Sequence, residues 1–325
     1  MTAENCTVFT DFIFLGLSSR QDVQQGLFLP FLLVYGVTAV ANVGMILLIK
    51  VDPRLHTPIY YFLSNLSFCN ICYSSTISPK ILADFLSEQK RIPYDVCAIQ
   101  MYFFGAFADV EYLMLAVMAY DCYITTCNPL LYTIAMSRGI CLVDLAVHTC
   151  CTFQSLFCNS NIINHFFCDI PPLLVLFSSD TSINEIVIFT FIACIVGTSI
   201  ITFLLSYSYI IATILRMNST EARHKAFSTC ASHLTAVAIF HGILLFMYFR
   251  PSSSYSMDID KTTSVFYTIV IPMLNPLIYN LRNKDVKGAL KKATSTKLCS
   301  GLILCLFLHL LLFSPNLKAV FSPYL

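Results

Sequence analysis

Seven apolar runs, each close to the length a helix needs to cross a bilayer, limit what this chain can fold into more than any other feature. A spanning helix takes about 20 mainly apolar residues, and candidates lie near residues 27–49, 58–82, 98–124, 139–157, 186–215, 226–249 and 263–280. Backbone polar groups in hydrocarbon have to be satisfied within the spanning structure, and no strand period suggests a barrel, so the runs read as helices. Of 325 residues, 57% are hydrophobic and 11% charged, a balance that a soluble domain of this size could not place on its surface. The expected fold class is therefore an all-α membrane protein, a bundle of seven transmembrane helices. The N-terminus has no basic stretch and the first apolar run starts near Leu27, so the first span is expected to act as its own signal-anchor without a cleaved signal peptide.

Orientation follows from the basic residues of the short loops. One side collects Lys50, Arg54, Arg138, Arg216, Arg223, Lys225, Arg282, Lys284, Lys287, Lys291 and Lys292. The other has Arg20, Lys90, Arg91, Arg250 and Lys261, partly balanced by Asp22, Glu88, Asp258 and Asp260. The first side is assigned to the cytoplasm, giving an extracellular N-terminus and a cytoplasmic C-terminus. Asn5, in Asn5-Cys6-Thr7, then lies where an N-x-S/T site can be glycosylated. The net charge of +1 gives no reason to expect a nucleic acid partner; the expected surroundings are the lipid bilayer. Most of the 15 cysteines sit inside apolar runs, where cysteine behaves as a small hydrophobe.

Two segments fit this pattern badly. The fourth candidate, GICLVDLAVHTCCTFQSLF, has 19 residues and holds Asp144, His148 and Gln154, each costly in hydrocarbon unless turned into the bundle; a central Asp alone costs about 3 kcal/mol. Leu298 to Phe313 is an apolar run of 16 residues after a basic segment, about 24 Å of helix against a hydrocarbon core of about 30 Å.

Several stretches, in order, carry a family resemblance: Asn42 in the first span, LHTPIYYFLSNLSF (55–68), MAYD with Tyr123 and CNPLLY (118–132), NHFFCDIPPLL (164–174), SYSYII (206–211), RHKAFSTCASHL (223–234) and PMLNPLIYNLRNKDVKGALKK (272–292). With these motifs the chain resembles an olfactory receptor, a rhodopsin-like seven-helix G-protein-coupled receptor. The resemblance implies residues 1–26 as an extracellular N-terminus, 27–292 as the receptor domain and 293–325 as a tail whose apolar run has no assigned role. It also implies a plasma-membrane location.

The same resemblance implies roles for individual residues. A disulfide between Cys97 and Cys168 would pin the second extracellular loop over the bundle; Cys158 lacks the usual second cysteine, its partner region carrying Ser178 and Ser179. Asp121, Cys122, Tyr123, Tyr207, Asn275, Pro276 and Tyr279 fall in the coupling and switch region. Pro272 and Pro276 remove backbone donors from the seventh span, and Asn275 and Tyr279 are expected to bond the freed groups, either as a plain kink or as a moving element. Asn42, Asn70 and Glu111 form a candidate core polar site, read equally as a sodium-like site or an interhelical hydrogen bond. Asp109 and Glu111, about 100° per residue apart in projection, face different directions. Phe104, Gly105, Ala108, Asp109, Tyr112, Thr198, Ser199 and His241 are the candidate ligand contacts, in a mostly apolar pocket.

The expected function is an odorant receptor that binds a small, largely apolar molecule and signals through a heterotrimeric G protein of the stimulatory, cyclase-coupled type. Two departures support an alternative, a receptor copy that no longer signals. Cys122 stands where the family has an arginine, and it carries neither charge nor bidentate fork. The fourth span is shorter than family spacing by about ten residues, roughly three helical turns, with retention in the endoplasmic reticulum as the expected consequence. A transporter or channel would want repeated halves or matching broken helices, and an enzyme a nucleophile and base or a metal cluster; the sequence offers none of these, and no cofactor or metal is expected.

Overall fold

The computed structural model describes residues 10–127, 160–174, 176, 182–216 and 257–282, with single positions between 219 and 246 and between 286 and 292. Helix α1 spans Gln21–Val51, α2 Pro58–Leu86 and α3 Tyr94–Cys127. A short α4 (Ile170–Leu174) lies in the second extracellular loop, and α5 spans Ser182–Arg216. The seventh span is one continuous rod made of α6 (Met257–Val265), a π-helical turn (Phe266–Val270) and α7 (Ile271–Arg282). The fourth candidate span, Cys158, Asn5 and the run from Leu298 to Phe313 lie outside the described residues.

The helices are longer than the apolar runs that announced them. Helix α1 begins six residues before Leu27, because a nucleated helix propagates cheaply into water and Asp22 in its first turn suits the positive helix end. Among the described residues, three helices are long and apolar enough to cross a membrane, within Gln21–Val51, Tyr94–Asp121 and Val196–Arg216. Helix α2 is long enough at 29 residues, but it carries a buried polar stripe, Ser67, Asn70, Ser74 and Ser78. That stripe recurs every three or four residues and so lies on one helix face, turned into the protein.

The π turn has a local cause. Pro272 has no N–H to give, so the i to i−4 ladder cannot continue through it. Just before it, the Ile271 N–H bonds back to the Phe266 carbonyl, the wider i to i−5 step of a π-bulge.

Outside the membrane no strand pattern is legible in the sequence, yet three strands are present among the described residues. β1 (Asp11–Phe14) pairs antiparallel with β2 (Arg91–Pro93) and parallel with β3 (Ile162–Ile163). The N-terminal segment thus lies between the first and second extracellular loops. Gly16 turns the chain from β1 toward α1 with φ at +77°, and a Cβ there would meet the Gln24 amide at 3.1 Å; glycine is the residue that adopts this backbone without strain. Under the sheet, Phe12, Phe14, Ile92, Ile163 and Leu173 pack around the Cys97–Cys168 disulfide. The main core lies deeper, where Leu63, Leu66, Leu115, Met118, Phe203 and Ile210 join α2, α3 and α5.

Candidate functional site

The second extracellular loop plugs the mouth of the bundle. From Ile163 to Asp169 all residues but Asn164 precede or follow one another as buried positions, and His165, Phe166, Phe167, Cys168 and Asp169 are each at most 4% exposed. The Cys97–Cys168 bridge ties the loop to the start of α3, with 5.6 Å between the Cα atoms. Beside it, the Cys168 N–H donates to Gln100 Oε1 at 3.0 Å, and Gln100 Nε2 donates to the Thr76 carbonyl at 3.1 Å. Two bonds hold the loop to the seventh span: Tyr267 donates its hydroxyl to Asp169 Oδ2 at 2.9 Å, and His165 Nε2 lies 3.2 Å from Ser264 Oγ. Burial pushes the Asp169 carboxyl above its ordinary value against the pull of the Tyr267 hydrogen bond. Burial, then the charge of Lys261, holds His165 down at about 3.

Below the loop an aromatic layer closes the upper bundle. Phe104 stacks on Tyr73 at 4.9 Å and meets Phe167 edge-on at 5.1 Å. Phe104, Ala108 and Tyr112 recur every four residues on α3 and so share a face. At the lower end of that face, Tyr112 stands edge-on to His241 at 4.9 Å, and Phe203 of α5 does the same at 5.1 Å. Ser199, one turn before Phe203, is buried. Gly105 and Asp109 are half-buried on α3. Thr198 departs from the expected arrangement: it is exposed on α5 and its hydroxyl bonds to the Cys194 carbonyl at 2.8 Å. One residue of helix turns by about 100°, which carries Thr198 off the inward face that Ser199 occupies.

The polar centre of the bundle is a chain of side chains from four helices. Asn275 Nδ2 lies 2.6 Å from Glu111 Oε1 and 3.2 Å from Asn70 Oδ1. Asn70 Nδ2 in turn donates to Asn42 Oδ1 at 3.3 Å. Asn42 Nδ2 reaches the Pro272 carbonyl at 3.1 Å and the Thr38 carbonyl at 2.8 Å. All four side chains are buried, Asn42 and Glu111 completely. Asn70 and Glu111 do not bond each other directly; Asn275 bridges them.

This arrangement corrects the expected repair of the seventh span. Pro276 lacks the N–H that would serve the carbonyl of Pro272, four residues earlier. That carbonyl is one of the freed groups that Asn275 and Tyr279 can re-bond from within the span. Asn42 of α1 serves it instead, while Asn275 turns to Asn70 and Glu111; the side chain of Tyr279 lies outside those described. Membership of Asn275 in the polar centre was missed because its place beside proline suggested a local role. The signal was present in its side chain: an amide with two donors can bridge two acceptors on different helices.

At the cytoplasmic end, Asp121 and Tyr207 are buried, and Tyr123 packs against Tyr209 of α5 at 5.5 Å. The side chain of Cys122 is outside those described. On the first cytoplasmic loop Asp52 accepts from the Arg54 side chain, at 2.6 Å from Nη2, and that hydrogen bond lowers its carboxyl to about 2.

Comparison with known proteins accords with this geometry. The sequence profile described as olfactory receptor matches residues 31–297. Olfactory receptor 5W2 of Homo sapiens is 54% identical over 90% of this chain and 98% of its own length. Olfactory receptor 5AR1 of Mus musculus is 52% identical over 91% and 99%. Squid rhodopsin, 15% identical, superposes with a TM-score of 0.56 over 85% of this chain and 86% of its own, which shows the shared seven-helix fold. The chain belongs to the olfactory receptor family and is a multi-pass plasma-membrane G-protein-coupled receptor rather than an enzyme.

Proposed function

We propose that the chain binds a small, largely apolar odorant among α3, α5 and the sixth span, and signals through a stimulatory, cyclase-coupled G protein. The observation that carries this reading is the polar chain Asn42–Asn70–Asn275–Glu111. It joins the upper, aromatic half of the bundle to the half that holds Asp121, Tyr123 and Tyr207, through the proline-interrupted seventh span. A ligand that favours one arrangement of that span shifts the population of receptors with an open cytoplasmic face. Asp121, Cys122, Tyr123, Tyr207, Asn275, Pro276 and Tyr279 are assigned to this switch, and the polar chain is its pivot. Residues 27–292 form the receptor domain, between the N-terminal segment 1–26 and the tail 293–325; Asn5 is assigned as the glycosylation site.

Cys122 favours a second reading, a non-signalling or decayed receptor copy with impaired folding and coupling, because the residue supplies no cationic fork for the G protein. One experiment separates the two. An N-terminally tagged chain is stained on intact cells and screened with odorants for cyclic AMP, beside Cys122→Arg. Surface staining with an odorant response in the native chain supports signalling. Staining with a response only in Cys122→Arg supports the copy that no longer signals, and absence of both chains from the surface removes the plasma-membrane role from either.

A further inference from the structure

His241 carries information about the ligand that its position alone does not. Its Nδ1 lies 3.0 Å from the Val237 carbonyl, one turn earlier on the same segment. A carbonyl can only accept, so Nδ1 bears the proton, and in a neutral imidazole this leaves Nε2 as an acceptor. The residue is 6% exposed and Nε2 has no hydrogen-bond partner among the described residues. Buried acceptors in native proteins are rarely left in that state. The Tyr112 and Phe203 rings stand edge-on beside the imidazole, so the walls around it are largely aromatic. A group that relieves Nε2 has to bring its own donor and has to be compatible with aromatic walls.

We propose that the ligand of this receptor presents a hydrogen-bond donor, an alcohol or phenol hydroxyl on an apolar body, to Nε2 of His241. The inference rests on the reading that the ligand lies among α3, α5 and the sixth span. Its apolar body runs along the α3 face of Tyr112, Ala108 and Phe104 toward the loop residue Phe167, which closes the upper end. Eight residues separate Tyr112 from Phe104, about 12 Å of helix, so the body is of medium length. The hydroxyl reaches Nε2 by turning one of the two flanking rings aside. An ether or aldehyde of the same skeleton displaces the ring equally but leaves the nitrogen unpaired and brings a second acceptor against it. A site with a buried group awaiting a hydrogen bond discriminates strongly against analogues that cannot make it.

The test uses the purified full-length chain in detergent and the ligand-induced rise in its melting temperature. The probes are matched triples, each an alcohol, its methyl ether and the corresponding aldehyde, on straight-chain and aromatic skeletons of several lengths. The expected result is half-maximal stabilisation by alcohols or phenols at concentrations about tenfold or more below those for their ethers and aldehydes. His241→Phe is expected to erase that preference, and His241→Tyr, whose hydroxyl also donates, to admit the aldehydes. Equal action of ethers or aldehydes on the native chain overturns the donor assignment while leaving the odorant reading in place. No stabilisation by any member of any triple overturns both. The comparison within the native chain decides the matter even where a variant fails to fold.

Discussion

Asn275→Ala tests the polar centre directly. The substitution deletes two interhelical bonds, at 2.6 Å to Glu111 and 3.2 Å to Asn70. Interhelical hydrogen bonds between side chains in membrane proteins average about 0.6 kcal/mol, whereas leaving a buried acceptor without its donor costs about 1–3 kcal/mol. The sum is about 2–3.5 kcal/mol, and the Glu111 bond makes up most of it. Glu111 Oε2 already has no partner among the described residues, so the variant leaves the whole buried carboxyl group unsatisfied. At about 2–4 °C per kcal/mol for a large domain, the solubilised chain should melt about 5–10 °C lower. The assay is a double-mutant cycle of Asn275→Ala and Glu111→Ala, read by thermal melting with size-exclusion detection. Because either change removes the same bond, the double variant should fall short of additivity by about 1 kcal/mol or more. Glu111→Gln, which keeps an acceptor for Asn275, should lose much less than Glu111→Ala. Additivity within about 0.5 kcal/mol, or equal losses for Gln and Ala, would refute the bridging role.

Three further expectations follow from other parts of the molecule. Cys97→Ser opens a bridge between residues 71 apart in sequence, a loop whose closure is worth about 4 kcal/mol, and surface staining of the tagged variant should drop sharply; undiminished staining would count against a structural role for the bridge. Asn42→Val leaves the Pro272 carbonyl without its α1 donor and should cost about 1–3 kcal/mol, seen as a lower melting temperature that Asn42→Gln partly restores. His165, held at about 3 against an ordinary 6.5, stays neutral when the loop is folded and takes up a proton when it is not. Its contribution is therefore whole above pH 6.5 and is lost as the pH falls toward 3, about 2 kcal/mol at pH 5. Hydrogen-exchange protection of residues 160–170, corrected for intrinsic rates, should weaken over that range in the native chain and less so in His165→Phe.

The spans were legible in the sequence because hydrocarbon imposes one rule on every residue that enters it. Even so, the ends of α1 and α3 ran past their apolar runs, since helix propagation does not stop where hydropathy does. Asn42, Asn70 and Glu111 could be singled out as inward polar residues, because polar groups facing lipid are expensive. Which of them bonds which was not legible: the pairing depends on helix rotation and depth, and Asn275 takes the central place through a geometry that no spacing encodes. Thr198 and Ser199 show the same limit at finer scale. They are neighbours of similar chemistry, and only the helix phase decides which one faces the interior. The extracellular sheet was invisible because its strands are two to four residues long, and each is stabilised by partners remote in sequence.

That remoteness has a consequence for how the chain is made. β1 is the central strand of its sheet, yet Ile13 pairs with Arg91 on one side and with Ile162 on the other. At synthesis rates of about 5–20 residues per second, residues 11–14 wait roughly seven to thirty seconds after emerging before their last partner exists. Through that interval they present an unpaired strand, with Phe12 and Phe14 uncovered, of the kind that invites wrong pairing. The sheet over the bundle therefore waits for the middle of the chain although its central strand is among the first residues made, and a luminal chaperone that binds short apolar strands has in this segment a signal that persists until the second extracellular loop has crossed the membrane.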